Sequence, residues 1–325
     1  MAAYGMVRAI YKDYKGPLYQ VRSKATTTST KDVPLLSDGY ADSKVQDDFC
    51  AANGGCTVSK LFDQSPKGND LVLTPNVCWL SNNGQYGPKC NAKDGAIQHE
   101  SEVSKNPKLT VGGHQVYGLY TENGKGNCYR VIKGNGTATG EDPEFIYSVI
   151  DTTQWTPWCC YDFGNAESTG QPDSYSSMEA IYFGNATMWG KGAGNGPWFA
   201  CDYELVISPG GTKVAESIPA ITTSVIKKYG TFMLKGFKGD HIALKYGDAQ
   251  KGGLTTQWDG ARARENAGVA PVMHKQGSII LGSGGDGSFL GKGTFFEGAM
   301  TAGVSEDKAV DDAIQASVVA AGYKE

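Results

Sequence analysis

Met178-Glu179-Ala180-Ile181-Tyr182-Phe183-Gly184-Asn185 and Trp198-Phe199-Ala200-Cys201-Asp202-Tyr203-Glu204 are two short aromatic runs. Between them lies Trp189-Gly190-Lys191-Gly192-Ala193-Gly194-Asn195-Gly196-Pro197, a dense turn signal. Each run is too short for a typical helix and is bounded by turn formers, so the segment reads as strand, turn, strand. Working outward, the same unit recurs. Val7–Tyr11 and Leu18–Val21 flank Lys15-Gly16-Pro17, and Val58–Phe62 follows. Further strands are expected at Gln115–Tyr120, Phe145–Asp151, Glu179–Phe183, Trp198–Glu204, Phe232–Lys235, His241–Tyr246, Gly253–Trp258, Ser278–Gly282 and Gly293–Met300. Short strands at this spacing predict an all-β sandwich or jelly roll.

Two helices interrupt the pattern. Val45 to Cys56 reads as a short helix closed by a Cys50–Cys56 loop, after a Thr/Ser/Asp-rich surface loop over residues 23–44. At the C-terminus Ser305 is the expected cap, with Glu306 and Asp307 at the positive end of the dipole. Val310, Ala313, Ile314, Ser317, Val318 and Ala321 repeat at helical spacing, and Gly322 ends the helix. That narrow face predicts packing on the outside of a sheet. No internal repeat or change of composition divides residues 1–325, so one domain is expected.

The composition agrees. There are 44 glycines, about twice the usual ~7 % share, which favours many tight turns. Net charge is −4 and no Lys/Arg cluster stands out, which argues against nucleic acid as a partner. No apolar run approaches the ~18 residues that cross a bilayer, which argues against a membrane partner. Met1-Ala2-Ala3-Tyr4 leads straight into a charged, strand-like segment, so no signal peptide is read and Met1 is taken as the start of a mature form. Eight cysteines without histidines at metal spacing favour local disulfides, Cys50 with Cys56 and Cys78 with Cys90, over zinc. Disulfides imply secretion, and the triplets Asn135-Gly136-Thr137 and Asn185-Ala186-Thr187 agree with it.

Several residues point to chemistry. Cys159 and Cys160 are adjacent and either close on each other or pair elsewhere, with Cys128 and Cys201 as partners. Carboxylates in glycine-rich or aromatic surroundings are Asp162, Glu179, Asp202, Glu204, Asp286 and Glu297. Glycoside hydrolysis uses two such groups. Asp202 and Glu204 lie two apart on an expected strand and so share a face, where a concave polar site competes with an exposed strand as the explanation. Asp286 sits in Gly284-Gly285-Asp286-Gly287, where glycines permit close approach to a ligand or merely form a turn. Trp189 and Trp198 are candidates for stacking on sugar rings or for the core. No phosphate-binding loop, dinucleotide fingerprint or nucleophile elbow is present.

Longer motifs then become recognisable. They are Arg8-Ala9-Ile10-Tyr11, Gly16-Pro17-Leu18-Tyr19-Gln20, Gln46-Asp47-Asp48-Phe49-Cys50 and Phe62-Asp63-Gln64-Ser65. Gly136-Thr137-Ala138-Thr139-Gly140, Asp162-Phe163-Gly164-Asn165-Ala166-Glu167 after Cys159-Cys160, and Met178-Glu179-Ala180-Ile181-Tyr182 follow in order. Ile279-Ile280-Leu281-Gly282, Gly284-Gly285-Asp286 and Gly293-Thr294-Phe295-Phe296-Glu297-Gly298 complete the series. Over essentially its whole length the chain resembles the catalytic domain of glycoside hydrolase family 54, the fungal-type α-L-arabinofuranosidase B enzymes.

The resemblance implies a concanavalin-like β-sandwich and a retaining, exo-acting hydrolase of arabinan- or arabinoxylan-type polysaccharides. It carries the nucleophile onto Glu204 and the acid/base onto Asp286. It makes Cys159-Cys160 a vicinal disulfide against the sugar, with Trp189, Asp202 and Gly285 as further sugar contacts. It implies no metal and no organic cofactor. The expected partner is an arabinofuranose-containing polysaccharide or oligosaccharide, bound by a secreted monomer. Departures from the family pattern are Leu205 in place of Asn after the nucleophile, and Cys201 at a position that is apolar in the family. The N-terminal segment with another cysteine pair and the carbohydrate-binding β-trefoil are also missing. Leu205 leaves room for another furanose, D-galactofuranose or D-arabinofuranose. A lectin-like module without turnover is the reading from another class.

Overall fold

Alternation along the strands builds the molecule. In Glu179–Gly184, Ile181 and Phe183 join the main core, whereas Ala180 and Tyr182 belong to small clusters on the opposite face. Neighbouring strands repeat this: Phe163, Phe199, Cys201, Ile279 and Leu281 enter the main core, while Ala166, Ala200 and Ile280 lie on the other side. One face of the sheet therefore packs and the other is free to carry a site. The computed structural model describes residues 1–73, 79–82, 85–88, 100–125, 127–169, 176–187, 192–204, 207–208, 218–262 and 272–325.

Two antiparallel sheets form the sandwich. The seven-stranded sheet runs Ala2–Gly5, Gly293–Ala302, Glu144–Asp151, Tyr229–Gly236, Ile242–Asp248 and Lys251–Gly260, with Leu119–Thr121 also paired to Gly293–Ala302. The eleven-stranded sheet begins Ile207–Ser208, Trp198–Asp202, Glu179–Gly184, Asp162–Ala166, Ser278–Ser283 and Tyr129–Val131. It continues through Leu71–Leu73, Cys56–Leu61, Tyr19–Ser23 and Thr30–Val33, with Ser101–Glu102 on Cys56–Leu61. Aromatic rings join the sheets: Phe163 meets Phe295 at 5.3 Å, and Phe232 meets Phe183 at 5.3 Å and Phe199 at 4.7 Å. The expected sandwich with a C-terminal helix is what forms.

Local departures have physical causes. Val7–Tyr11 is not a strand; the strand is Ala2–Gly5. The N–H groups of Ile10 and Tyr11 donate to the side-chain oxygen of Gln64 instead, so that segment needs no strand partner. Gln115–Tyr120 divides into His114–Tyr117 and Leu119–Thr121, which join different sheets. Gly118 makes the break, where an added Cβ would meet Thr294 Cγ2 at 2.5 Å. The surface loop over residues 23–44 contains the edge strand Thr30–Val33, and Asp162–Ala166 is a fully buried strand despite its Asp, Gly and Asn.

The expected helix runs Ser43–Ala52 and carries Cys50 in its last turn, whose disulfide reaches Cys56 at the start of strand Cys56–Leu61. The C-terminal helix spans Lys308–Ala320, but its cap is Asp307, which accepts from Ala309 N at 2.9 Å; Ser305 only supports the Asp307 N–H. Its buried face follows the apolar stripe only in part: Val318 and Ala321 are buried and Ile314 packs on the core. Val310 is 43 % exposed, while Asp311, Gln315 and Val318 turn inward. The sheet surface beneath offers cations, since Asp311 pairs with Lys235 at 2.9 Å and Lys245 at 2.6 Å. Cys78 and Cys90 lie outside the described residues.

Candidate active site

The free face of the eleven-stranded sheet carries the site. Asp162 pairs in register with Tyr182, and Asp202 with Ala180, so the two aspartates lie on either side of strand Glu179–Gly184. Strand Trp198–Asp202 ends before Glu204, contrary to the strand expected through that residue. Glu204 has φ +63°, in the left-handed region, and its N–H donates to Asp202 Oδ1 at 2.9 Å. A backbone turn, not strand periodicity, therefore puts these carboxyls together. Asp286 comes from the turn after Ser278–Ser283. Ser288 N donates to its Oδ1 at 2.8 Å, and Gly284 N to Ser288 O at 2.8 Å.

Cys159 and Cys160 are bonded to each other, and the alternative partners Cys128 and Cys201 are free and buried. The pair sits on the Asp286 turn. Leu290 N donates to Cys159 O at 3.1 Å, and a Cβ on Gly284 would lie 3.3 Å from Cys160 Sγ. Cys160 Sγ is 3.6 Å from Asp202 Oδ2. Trp158, beside the disulfide, is 54 % exposed. Donor atoms of Cys159, Cys160, Asp162 and Asp202 lie within 4.8 Å of one another. Joined as a disulfide, the sulfurs supply no thiolate for a metal, so this group reads as a flat apolar floor beside two carboxyls.

A fifth carboxyl, Glu167, completes the cluster. It is fully buried, accepts from Ser177 Oγ at 2.7 Å, leaves its Oε2 without a hydrogen-bond partner, and adds to the charge that raises Glu204. A side chain on Gly285 would overlap Glu167 Oε2. Sequence reasoning did not select Glu167, although it closes the quoted Asp162–Glu167 motif. The available signal was a glutamate directly after a strand with no Lys or Arg close in sequence.

Burial and mutual repulsion set the protonation. Burial, then Asp202, Asp286 and Glu167, push Asp162 far above the carboxylate range, and neither of its oxygens has a hydrogen-bond partner. Burial lifts Asp202 to about 7 against the stabilising Glu204 N–H. Burial, followed by Glu167, Asp286 and Asp202, pushes Glu204 up to about 12. Burial also raises Asp286, opposed by Ser288 and Arg130. Arg130 is buried beneath the cluster, but its N–H groups go to Gly285 O at 2.6 Å, Ser278 Oγ at 2.9 Å and Glu167 O. Several buried carboxyls with separated proton affinities are the working parts of acid–base chemistry.

Two candidate carboxylates lie elsewhere. Glu179 faces between the sheets, bound to Lys275 at 2.8 Å and Arg262 at 2.9 Å. Burial would raise it, but these two cations hold it below the usual range. Glu297 is held by Arg8 at 2.7 Å and Tyr323 at 3.0 Å. Both are structural ion pairs. Trp198 is 4 % exposed and its indole donates to Ala193 O at 2.8 Å, so it is a core residue. Trp189 and Leu205 lie outside the described residues. A surface cleft of 240 Å³ lined by Glu100, Glu102, Lys105, Tyr120 and Glu122 is separate from the carboxyl cluster.

Residues 1–324 match the family model described as alpha-L-arabinofuranosidase B, catalytic. The chain is 40 % identical over 327 residues to alpha-L-arabinofuranosidase B of Emericella nidulans, covering 99 % of this chain and 59 % of the relative. It is 38 % identical over 324 residues to the Aspergillus niger enzyme of the same name, covering 99 % and 60 %. The chain thus spans about 60 % of the length of these curated relatives. An arabinofuranosidase complexed with arabinofuranosyl-α-1,2-xylobiose superimposes with a TM-score of 0.85 at 33 % identity, over 99 % of this chain and 62 % of that one. A family 54 α-L-arabinofuranosidase soaked with a cyclic sulfate inhibitor gives 0.84 at 33 % identity, over 99 % and 63 %. The chain belongs to the alpha-L-arabinofuranosidase B catalytic family, glycoside hydrolase family 54.

Proposed function

We propose that this chain is a retaining, exo-acting α-L-arabinofuranosidase that releases terminal arabinofuranosyl groups from arabinan- or arabinoxylan-type chains. The observation that carries this reading is the buried carboxyl cluster against the Cys159–Cys160 floor, in a chain of this family. In this reading Asp286 protonates the leaving oxygen while Glu204 attacks C1. Asp286 then acts as base for the water that releases the sugar. Burial favours the protonated form of Asp286, as a general acid requires. Cys159, Cys160, Asp202 and Gly285 contact the sugar, together with Trp189. Secretion is part of the proposal, supported by the Cys50–Cys56 and Cys159–Cys160 disulfides.

The test uses 4-nitrophenyl α-L-arabinofuranoside and an arabinofuranosyl xylo-oligosaccharide. Glu204→Gln is expected to abolish turnover of both. Asp286→Asn is expected to lower kcat by about 10²–10⁴-fold on the oligosaccharide. The loss should be smaller on the aryl substrate, whose leaving group needs little protonation. NMR of the first-formed product is expected to show the α-anomer. A β-anomer would sink the retaining mechanism, and binding without release would leave a sugar-binding module.

A further inference from the structure

We propose that Trp158 forms a leaving-group subsite, its indole stacking on the pyranose ring that carries the arabinofuranosyl group, a xylopyranosyl residue of the main chain. The proposal rests on the reading of this chain as an arabinofuranosidase with Asp286 as acid. Among the described large apolar side chains that face solvent, Trp158 is the most exposed, at 54 %, and the only aromatic one. The other described tryptophans, Trp155, Trp198 and Trp258, are buried or half-buried.

The disulfide floor runs outward along the chain and ends at this ring. Cys160, 2 % exposed, lies at the inner end, with its Sγ 3.6 Å from Asp202 Oδ2. Cys159 is half-buried, with its Sγ 3.9 Å from Ser288 Oγ. Trp158 follows, in solvent. Ser288 is the residue whose N–H holds Asp286 Oδ1 at 2.8 Å, so the outer end of the floor borders the turn of the acid. A general acid protonates the oxygen that leaves, which places the leaving group on the side of Asp286. Asp202, Glu204 and Asp286 are themselves buried. An exo-acting site encloses one sugar, and the next ring emerges where the floor meets solvent.

The platform is set before substrate arrives. Trp158 N donates to Thr156 Oγ1 at 3.4 Å, and Thr156 Oγ1 donates to Leu290 O at 3.0 Å. Leu290 N in turn donates to Cys159 O at 3.1 Å. Both ends of the segment from Thr156 to Cys159 are thus tied to Leu290, which follows the Asp286 turn. Pro157 fixes one more dihedral between them. A backbone held in advance lowers the ordering cost of binding. A xylopyranose ring with equatorial hydroxyls presents C–H bonds on both faces, and these suit the flat apolar surface of an indole.

The experiment compares Trp158→Ala and Trp158→Phe with the wild type on two substrates. One is arabinofuranosyl-α-1,2-xylobiose; the other is methyl α-L-arabinofuranoside, whose leaving group has no ring. The readout is the ratio of kcat/KM for the first to kcat/KM for the second. It is expected to fall about tenfold in Trp158→Ala, the size of one lost stacked ring, and by about threefold or less in Trp158→Phe. Xylobiose should also inhibit Trp158→Ala more weakly than the wild type. An unmoved ratio in Trp158→Ala overturns the subsite, even if both activities fall together. A fall in Trp158→Phe as large as in Trp158→Ala overturns stacking as its basis. If the wild type releases arabinose from neither substrate, the proposed function is removed and the subsite with it. Release from both with an unmoved ratio removes only the role of Trp158.

Discussion

Gly285 occupies a place that no side chain fits. A Cβ there would overlap Glu167 Oε2 and lie 3.0 Å from Met178 Sδ. Gly285→Ala must displace either Glu167 or the turn that aims Asp286. Displacements near 1 Å can lower turnover about 10²-fold, and a loss of that order in kcat is expected. Circular dichroism should remain unchanged, because the turn lies outside the main core. Wild-type kcat in this variant would show that the turn is not held against Glu167. Residue type offered Cys159, Cys160, Asp162, Asp202, Glu204 and Asp286 as candidates, and the family resemblance supplied the proposed roles. Residue type also offered Glu179 and Glu297, which have the same chemistry. Arg262 and Lys275 claim the first and Arg8 the second. Those cations are remote in sequence, so the ion pairs could not be read from neighbours along the chain.

At the scale of elements, the C-terminal helix shows where pattern reading succeeds and where it slips. Its existence and approximate limits follow from helical periodicity and Gly322. Its orientation follows from charge, because Lys235 and Lys245 lie buried or nearly so on the sheet and need an anion. Asp311→Ala would leave Lys235, 3 % exposed, without its partner. Removing one member of a buried pair costs about 3–5 kcal/mol. Urea unfolding of this variant is expected to show a loss of that size. Asp307→Ala, which removes the cap, is expected to lose about 1 kcal/mol. Ser305→Ala should lose less than Asp307→Ala, and the reverse order would return the cap to Ser305. The strand read as Trp198–Glu204 slips similarly at its end. The positive φ of Glu204 breaks the alternation at the residue proposed to react.

For the whole molecule, the active face is a source of instability. An aspartate in an unfolded chain titrates near pH ~3.9. Burial holds folded Asp202 up to about 7. Between these values the folded protein keeps a proton that the unfolded chain has released, so this group's contribution to stability falls as pH rises. Asp202→Asn has no proton to lose. Its Tm is expected to match wild type near pH 4, exceed it increasingly towards pH 7, and level off above that, while activity is lost. A Tm difference independent of pH would mean that Asp202 is ionised in the folded protein at low pH. The two sheets stay closed despite this, because the aromatic contacts between them lie on the opposite face from the carboxyls.

The amino-acid sequence by itself determined the all-β class, because short alternating runs closed by Gly, Asn and Pro suit little else. It determined the two helices, the Cys50–Cys56 disulfide and most of the reactive side chains, because these are local matters of residue type and spacing. The family resemblance had already grouped Asp202, Glu204 and Asp286; only the tertiary structure decided that Asp162 and Glu167 join them and that Glu179 and Glu297 do not. Asp162, Asp202 and Asp286 meet because strand order sets Asp162–Ala166 beside both Glu179–Gly184 and Ser278–Ser283. Glu179 is excluded because strand parity turns it to the other face. Spacing left the pairing of Cys159 and Cys160 open, the family resemblance implied that they close on each other, and the structure joins them. Protonation was decided there too, since burial and proximity set it, and both exist only once the sheets have closed.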